Sequence, residues 1–406
     1  MNNFLADYLL FNSGNEAHEH WHMWSALSVL ASCVSRKVWI DMGYFRYYPQ
    51  LYIVLLGTPG TKKSTAKDIA RDMVREIGNV PFSGECQSKE NLVKQLSENE
   101  RSFVYDVSKP PYIYTPLNIF VNELSQFIGI DPIKMVDFLV AVWNQNWYDM
   151  RTQKHGVQLI TGPFLNLLVC TTPSWVTTYL KSDVITGGFS RRAIFVFEWE
   201  ETKRIAIPYI SPEMQAARER CIARGKQLCE VYGEFSWAPD ALAFYKHWYE
   251  TRTISKDPNV AYFDQTKFEL VMKVAILLSL ADNDSLVMTI DPLKAAMALL
   301  DKVFEKLPQV FSGIGRNELA GIASQLESMV RRNGAPMLQK TVVRELYANA
   351  QTNEIYQIIA HLIDVGRLVR FDAATTSSNT VVTKTWLATP EQFAELEEIR
   401  KKQPPQ

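Results

Sequence analysis

An α/β protein built on a parallel sheet is the fold this sequence predicts, and three observations predict it. Short apolar runs at 51–57, 117–123, 164–172 and 193–199 alternate with amphipathic stretches, as buried parallel strands alternate with crossover helices. The first run ends at Gly57 in the stretch GTPGTKKS, a tight turn rich in small residues and cations. The next stretch, TAKDIARDMVREI, sets Ala66, Ile69, Ala70, Met73, Val74 and Ile77 on one helical face with charges opposite.

Taken in order, residues 1–48 read as a helical lead-in. MWSALSVLASCVS has an apolar face, and KVWIDMGYFRYYP leads into a strand or turn that ends at Pro49. HEHWH puts His18 and His22 one helical turn apart, a spacing that suits a metal, but no third ligand cluster accompanies them and a capped helix start is the simpler reading. Residues 49–204 carry the strand runs, with a weaker strand piece at Val80–Phe82, and sites are expected at the strands' C-terminal ends. Residues 205–312 read as a helical lid, from TKFELVMKVAILLSLAD and DPLKAAMALLDKVFEKLP. Gly313 and Gly315 mark a linker.

Residues 313–390 give three helices and then two strands around a polar turn, the layout of a winged helix-turn-helix. Thr352 caps the third helix and Gly366 stops it. That helix offers few cations, with Arg367 and Arg370 at its end and beyond, so the module suits either DNA or a protein partner. The tail 391–406 is expected to be disordered.

The formal net charge of −1 excludes a generally basic protein, so nucleic-acid contact has to come from a local patch or a ring of subunits. Cys33, Cys86, Cys170, Cys221 and Cys229 are scattered and odd in number, which predicts neither zinc site nor disulfide framework and fits a reducing compartment. With no leader pattern and no membrane-spanning run, the expectation is a cytoplasmic protein without membrane partners.

The chemistry concentrates on the first turn. In a strand, loop and helix unit, the N–H groups of Gly57, Thr58, Pro59's neighbours, Gly60, Thr61 and Lys62 and the positive helix end at Lys63, Ser64 and Thr65 converge on an anion. Lys63 then reaches the terminal phosphates of ATP and Ser64 holds Mg²⁺. Lys62 replaces the second glycine of the common G-x-x-x-x-G-K-[ST] pattern. A positive φ there costs about 1–2 kcal/mol, which N–H to phosphate bonds can offset.

Hydrolysis needs a carboxylate at a neighbouring strand end, and LNIFVNE supplies Glu123 as base with Asn122 as a neutral substitute near the metal. Thr171 and Thr172 end another strand, where hydroxyls sense a γ-phosphate. Arg191 and Arg192 follow Gly187-Gly188 ahead of the last strand, where ring ATPases present a cation to the neighbouring subunit.

The segments YPQLYIVLLGTPGTKKSTA, NIFVNELSQFI, GPFLNLLVCTTPSWV, GGFSRRAIFVFEW and KVAILLSLAD resemble the P-loop ATPases of primase-helicase type found in phages, plasmids and mobile elements, over roughly residues 20–310. SRR is also similar to the arginine-finger SRF of minichromosome-maintenance helicases of the AAA+ class. The resemblance implies an AAA+-like core, a hexameric ring that hydrolyses ATP with Mg²⁺ while translocating on single-stranded or forked DNA, and a separate primase or initiator as partner. Aligning to the minichromosome-maintenance pattern selects Arg191 as the finger, whereas aligning the strand ends of the phage family selects Arg192. Lys267 and Lys273 fall where second sensors lie, although a solvated helix charge explains each more simply. Arg151, Lys154 and His155 on a hairpin at 149–158 are the DNA-gripping residues this reading selects. A nucleotide-switched initiator or helicase loader is the alternative, because Lys62 and Asn122 both fall on the catalytic face.

Overall fold

The computed structural model describes residues 3–78, 80–129, 131–152, 156–179, 188–198, 203–255, 258–308, 317–347, 352–377 and 380–402. It divides into two compact units, Met1–Phe311 and Ser312–Gln406.

In the first unit, α1 (Phe4–Phe11) and α2 (Glu19–Val34) precede β1 (Val38–Asp41), β2 (Arg46–Tyr47) and β3 (Tyr52–Leu56). Then come α3 (Lys63–Ile77), α4 (Lys89–Ser97), β4 (Arg101–Phe103), β5 (Tyr112–Val121), α5 (Leu124–Ile128) and α6 (Pro132–Val142). The hairpin β6 (Trp147–Thr152) and β7 (Gly156–Thr161) leads into β8 (Pro163–Thr171), α7 (Pro173–Tyr179) and β9 (Ala193–Phe197). The unit closes with α8 (Pro212–Leu228), β10 (Gly233–Trp237), α9 (Pro239–Thr251), α10 (Pro258–Asp282), β11 (Val287–Met288) and α11 (Ile290–Phe304).

The fold is mixed α/β, and its central sheet has the order β4-β5-β8-β3-β9. The strands β5, β8, β3 and β9 run parallel, and β4 is antiparallel at the edge. Every residue of β3, β8 and β9 is buried, as a parallel sheet covered on both faces requires. The strand expected at Val80–Phe82 shrinks to one bridge, Phe82 to Asn118, since Pro81 has no N–H to extend a ladder. α2 crosses the sheet through a buried polar seam in which Asn166 Nδ2 donates to Ser28 O and Ser32 Oγ, each at 2.9 Å. Ser32 Oγ in turn donates to Asn118 Oδ1 at 2.8 Å, so the amide groups of two adjacent strands are matched to one helix.

Two expectations are corrected in this unit. The lead-in is not separate and the region after 204 is not wholly helical, because β1 pairs with β10 and β10 with β11, giving a second sheet β11-β10-β1-β2. Arg220 of α8 also grips the buried Asp7 of α1, Nε to Oδ2 at 3.0 Å. β10 and β11 are too short for periodicity to reveal: β10 is created by pairing with β1, nearly two hundred residues away, and β11 by pairing with β10.

The second unit holds α12 (Asn317–Arg332), β12 (Met337–Leu338), α13 (Gln339–Leu346), α14 (Thr352–Asp364), β13 (Val369–Ser377), β14 (Thr380–Ala388) and α15 (Pro390–Lys402). Its antiparallel sheet has the order β12-β14-β13. Leu326, Val330, Val342, Leu346, Ile355, Ile359 and Leu387 form one core beneath it. The tail expected to lack order is helical through Lys402. Thr389 Oγ1 accepts from Gln392 N at 3.3 Å while Gln392 Oε1 accepts from Thr389 N at 3.0 Å, a reciprocal cap. Phe393 packs on Phe371 with ring centres 5.1 Å apart, which anchors the helix.

Candidate phosphate-loop site

The turn from β3 into α3 lies at the C-terminal edge of the central sheet. Gly57 has no room for a side chain, since a Cβ there would lie 2.8 Å from Trp21 and 2.9 Å from Thr61 Oγ1. Thr61 Oγ1 donates to Thr58 O at 2.8 Å and draws the loop tight, with Pro59 and Gly60 exposed at its crest. Gly60 takes a φ of +88°. Lys62 takes φ 65° and ψ 22°, the left-handed conformation that its place in the pattern demands, and its side chain adds no cap to α3. The N–H groups of the first turn have no intrahelical partner, so Lys63 and Ser64 present unpaired donors at the positive helix end. Thr65 N turns back to Lys62 O at 3.1 Å, and the Ser64 side chain is exposed on the rim.

Lys63 is largely buried, and its ammonium donates to Gly57 O and Thr58 O, both at 2.8 Å. Burial lowers its pKa, while the neighbouring Cys170 and Glu123 oppose that shift. Glu123 therefore lies within electrostatic reach of Lys63, exposed at the N-cap of α5 just beyond β5. Asn122 Oδ1 and Thr171 Oγ1 are buried and have no hydrogen-bond partner among the described residues. Two orphaned oxygens beside a loop of unpaired N–H groups form a donor and acceptor set suited to a hydrated cation and an anion together. Thr172 differs from its neighbour. Its hydroxyl lies 3.0 Å from Ser174 Oγ and accepts from Trp175 N at 3.3 Å, so it caps α7.

On the far side of the loop the structure brings in residues that sequence reasoning missed. Glu16 lies 3.9 Å from Lys62, and Trp21 Nε1 donates to Val196 O at 3.1 Å. Glu198, at the end of β9 beside Gly57, gathers His20 Nδ1 at 2.6 Å, His18 Nε2 at 3.5 Å and Lys306 Nζ at 2.6 Å from both oxygens. The His18 and His22 pairing gives way to this cluster. His22 is buried, bonds Asn15 Oδ1 at 2.9 Å and has its pKa pushed down to about 3 by burial. His18 is the N-cap of α2, with Nδ1 accepting from His20 N at 3.1 Å. In the neutral ring this leaves the proton on Nε2, facing Glu198, where a metal would need a lone pair. The Lys306 ammonium already holds the carboxylate, so the cluster is a closed ionic clasp.

Arg191 and Arg192 stand at the other end of the sheet. Ala193 pairs with Tyr52 and Phe197 with Leu56, so the arginines sit level with the start of β3, about 16 Å from its end at 3.3 Å per residue. That exceeds the reach of an arginine side chain. Arg192 turns inward, donating from Nη1 to Gly188 O at 2.6 Å, and burial lowers its pKa. Arg191 Nε, like Arg192 Nε, is buried with no hydrogen-bond partner among the described residues, and the Arg191 main-chain carbonyl accepts from Thr266 Oγ1 at 2.9 Å.

The two second-sensor positions do not face the loop. Lys267 pairs with Asp301 of α11. Lys273 is fully buried rather than solvated, donating to Tyr48 O and Asn144 Oδ1 at 2.7 Å each, ahead of β3 at the opposite sheet edge. Burial drops its pKa to about 7, with Glu269 opposing the shift. Between pH 7 and 9 the unfolded chain keeps a proton that the folded chain sheds, so this group makes stability rise with pH across that window. Below pH 7 both states hold the proton and the contribution is constant. Lys273→Met should flatten this rise, read as urea midpoints at pH 7, 8 and 9; an unchanged slope would remove Lys273 as its source.

The hairpin β6–β7 forms where the sequence predicts one, pairing Arg151 with Val157. Arg151 is 77% exposed beside Asp149 at 3.7 Å, and Lys154 and His155 lie outside the described residues. Trp147, Val157 and Leu159 are exposed on the same hairpin face. Compared with known proteins, the chain matches no protein-family model and no curated relative. Among the described residues no helix is long and apolar enough to cross a membrane.

Proposed function

We propose that this chain is an ATP-hydrolysing motor on single-stranded DNA, assembled as a ring of identical subunits and serving replication of a phage or mobile element. The observation that carries the reading is the left-handed Lys62 ahead of Lys63 and Ser64, because a lysine holds that conformation at a cost of about 1–2 kcal/mol only where the backbone shape matters. The sheet order supports it, with the loop strand β3 between β8 and β9 and the strand bearing Glu123 reached across β8, as in AAA+-like cores. The second unit, with three helices and a three-stranded sheet followed by a fourth helix, is read as a winged helix on its order of elements.

In this reading Lys63 exchanges the carbonyls of Gly57 and Thr58 for phosphate oxygens, and the loop N–H groups hold the nucleotide in place. Ser64 and Asn122 would hold Mg²⁺, whose charge offsets that of the phosphates when bound. Glu123 takes the proton of the attacking water. Arg191 acts on a neighbouring subunit's nucleotide, being the arginine that is not turned inward.

Glu123→Gln should lower turnover by about 10²- to 10⁴-fold and leave nucleotide affinity within about threefold, because a base acts on water rather than on the phosphates. Steady-state hydrolysis and calorimetry check it; unchanged hydrolysis would move the role to another acid. The motor itself is tested by strand displacement on a forked duplex with ATP. A second reading, a nucleotide-switched initiator or loader that hydrolyses slowly, is favoured by the neutral Asn122. Stimulation of hydrolysis by single-stranded DNA without displacement would select it.

A further inference from the structure

The second unit carries a groove of about 940 Å³ between α13, the start of α14 and β14. One wall is a stripe on α13, Lys340, Arg344 and Tyr347, whose spacings of four and three put them on one exposed face. Tyr356 of α14, Lys384 of β14 and Val343 also line it. Tyr347 is 68% and Tyr356 46% exposed, unusual for large rings that could have joined the core below. The one acid ion-paired to the lining cations among the described residues is Glu345, 3.8 Å from Arg344 and on the open surface. α14, the helix that would enter a duplex groove in a winged helix, has no lysine or arginine between Thr352 and Asp364 and so lacks cations for flanking phosphates.

We propose that this groove binds single-stranded nucleic acid, with Lys340, Arg344 and Lys384 on the phosphates and Tyr347 and Tyr356 stacking on bases. Separated cations follow a backbone, and ring faces can be used only by bases that are not already stacked in a duplex. An acidic peptide would match the cations and leave both tyrosines idle. The inference rests on the single-strand part of the proposed function and not on ATP hydrolysis, so it is tested without nucleotide.

The full chain should bind a labelled oligothymidylate of about 20 nucleotides, and Lys340→Glu with Arg344→Glu should weaken it by at least about tenfold and flatten its salt dependence by about 1.4 in log–log slope. Tyr347→Ala should weaken binding without changing that slope. Iodouracil-substituted oligonucleotide should crosslink to Tyr347 or Tyr356. If the parent binds and the charge-reversed variant binds equally, or crosslinks fall only within residues 1–311, the groove assignment is overturned while the proposed function stands. Failure of the parent to bind without nucleotide overturns the groove assignment alone, because the motor reading is decided separately by strand displacement with ATP. Equal competition by polyglutamate overturns the nucleic-acid assignment in favour of an acidic protein partner.

Discussion

Lys63→Ala should lose nucleotide affinity by at least about 100-fold, roughly 2.7 kcal/mol, without unfolding the protein. The magnitude follows from what the ammonium does now. It satisfies the carbonyls of Gly57 and Thr58 at 2.8 Å each in a largely buried position, and charge-assisted bonds to phosphate would replace them. Alanine at the first helical position is tolerated by α3, and although the buried Gly57 O loses its partner and the melting temperature should fall, the rest of the core is untouched and folding should persist. Calorimetry with ATP and magnesium gives the affinity, and a thermal melt confirms the fold. A companion variant, Lys62→Gly, relieves the left-handed lysine and should bind as well as the parent or better and melt higher, because glycine adopts that backbone freely. If Lys63→Ala binds as tightly as the parent, the loop is a turn that happens to carry lysines.

Arg191→Ala should bind nucleotide normally yet lose hydrolysis by about 10³-fold or more, the scale of an arginine finger. The register makes this a statement about two subunits. Arg191 precedes β9 at the edge of the sheet opposite the loop, and no side-chain motion carries it across five residues of buried strand. An arginine needed for turnover must therefore serve another copy. Mixing Arg191→Ala with Lys63→Ala, each inactive alone, should restore partial activity, since some interfaces then join an intact loop to an intact arginine. Mixed oligomers confirmed by mass that stay inactive would show that Arg191 does not complete a neighbour's site. Arg192→Ala should behave differently and lower stability, because Arg192 is tied to Gly188 O within its own subunit.

The mutational tests rest on two kinds of knowledge. Order along the chain was enough for the strand, turn and helix at 51–77, since an apolar run, Gly57 and an amphipathic stretch are local features, while the structure supplied the positive φ at Lys62 that the pattern raised as a condition. The hairpin at 147–161 and the first three helices of the second unit were legible for the same reason, since alternation and helical spacing are read within a dozen residues. The cap at Thr389 was equally local, but a run of charges hid the helix it starts.

Tertiary structure alone decided the rest, because those features depend on residues far apart in the chain. Glu198 meets His20 across 178 positions and Lys306 across 108, and no spacing rule connects them. Lys273 looked like a solvated helix charge until packing of α10 against the start of β3 buried it. β10 became a strand only because β1 lay beside it. That Arg192 is the one of the two arginines tied to Gly188 O was likewise visible only in the structure, since adjacent identical residues cannot be told apart by composition. The sequence determined which segments could form a strand, a tight glycine turn or a helix, because those features are local; long-range packing decided which charged groups were paired and which were buried, because their partners lie far along the chain.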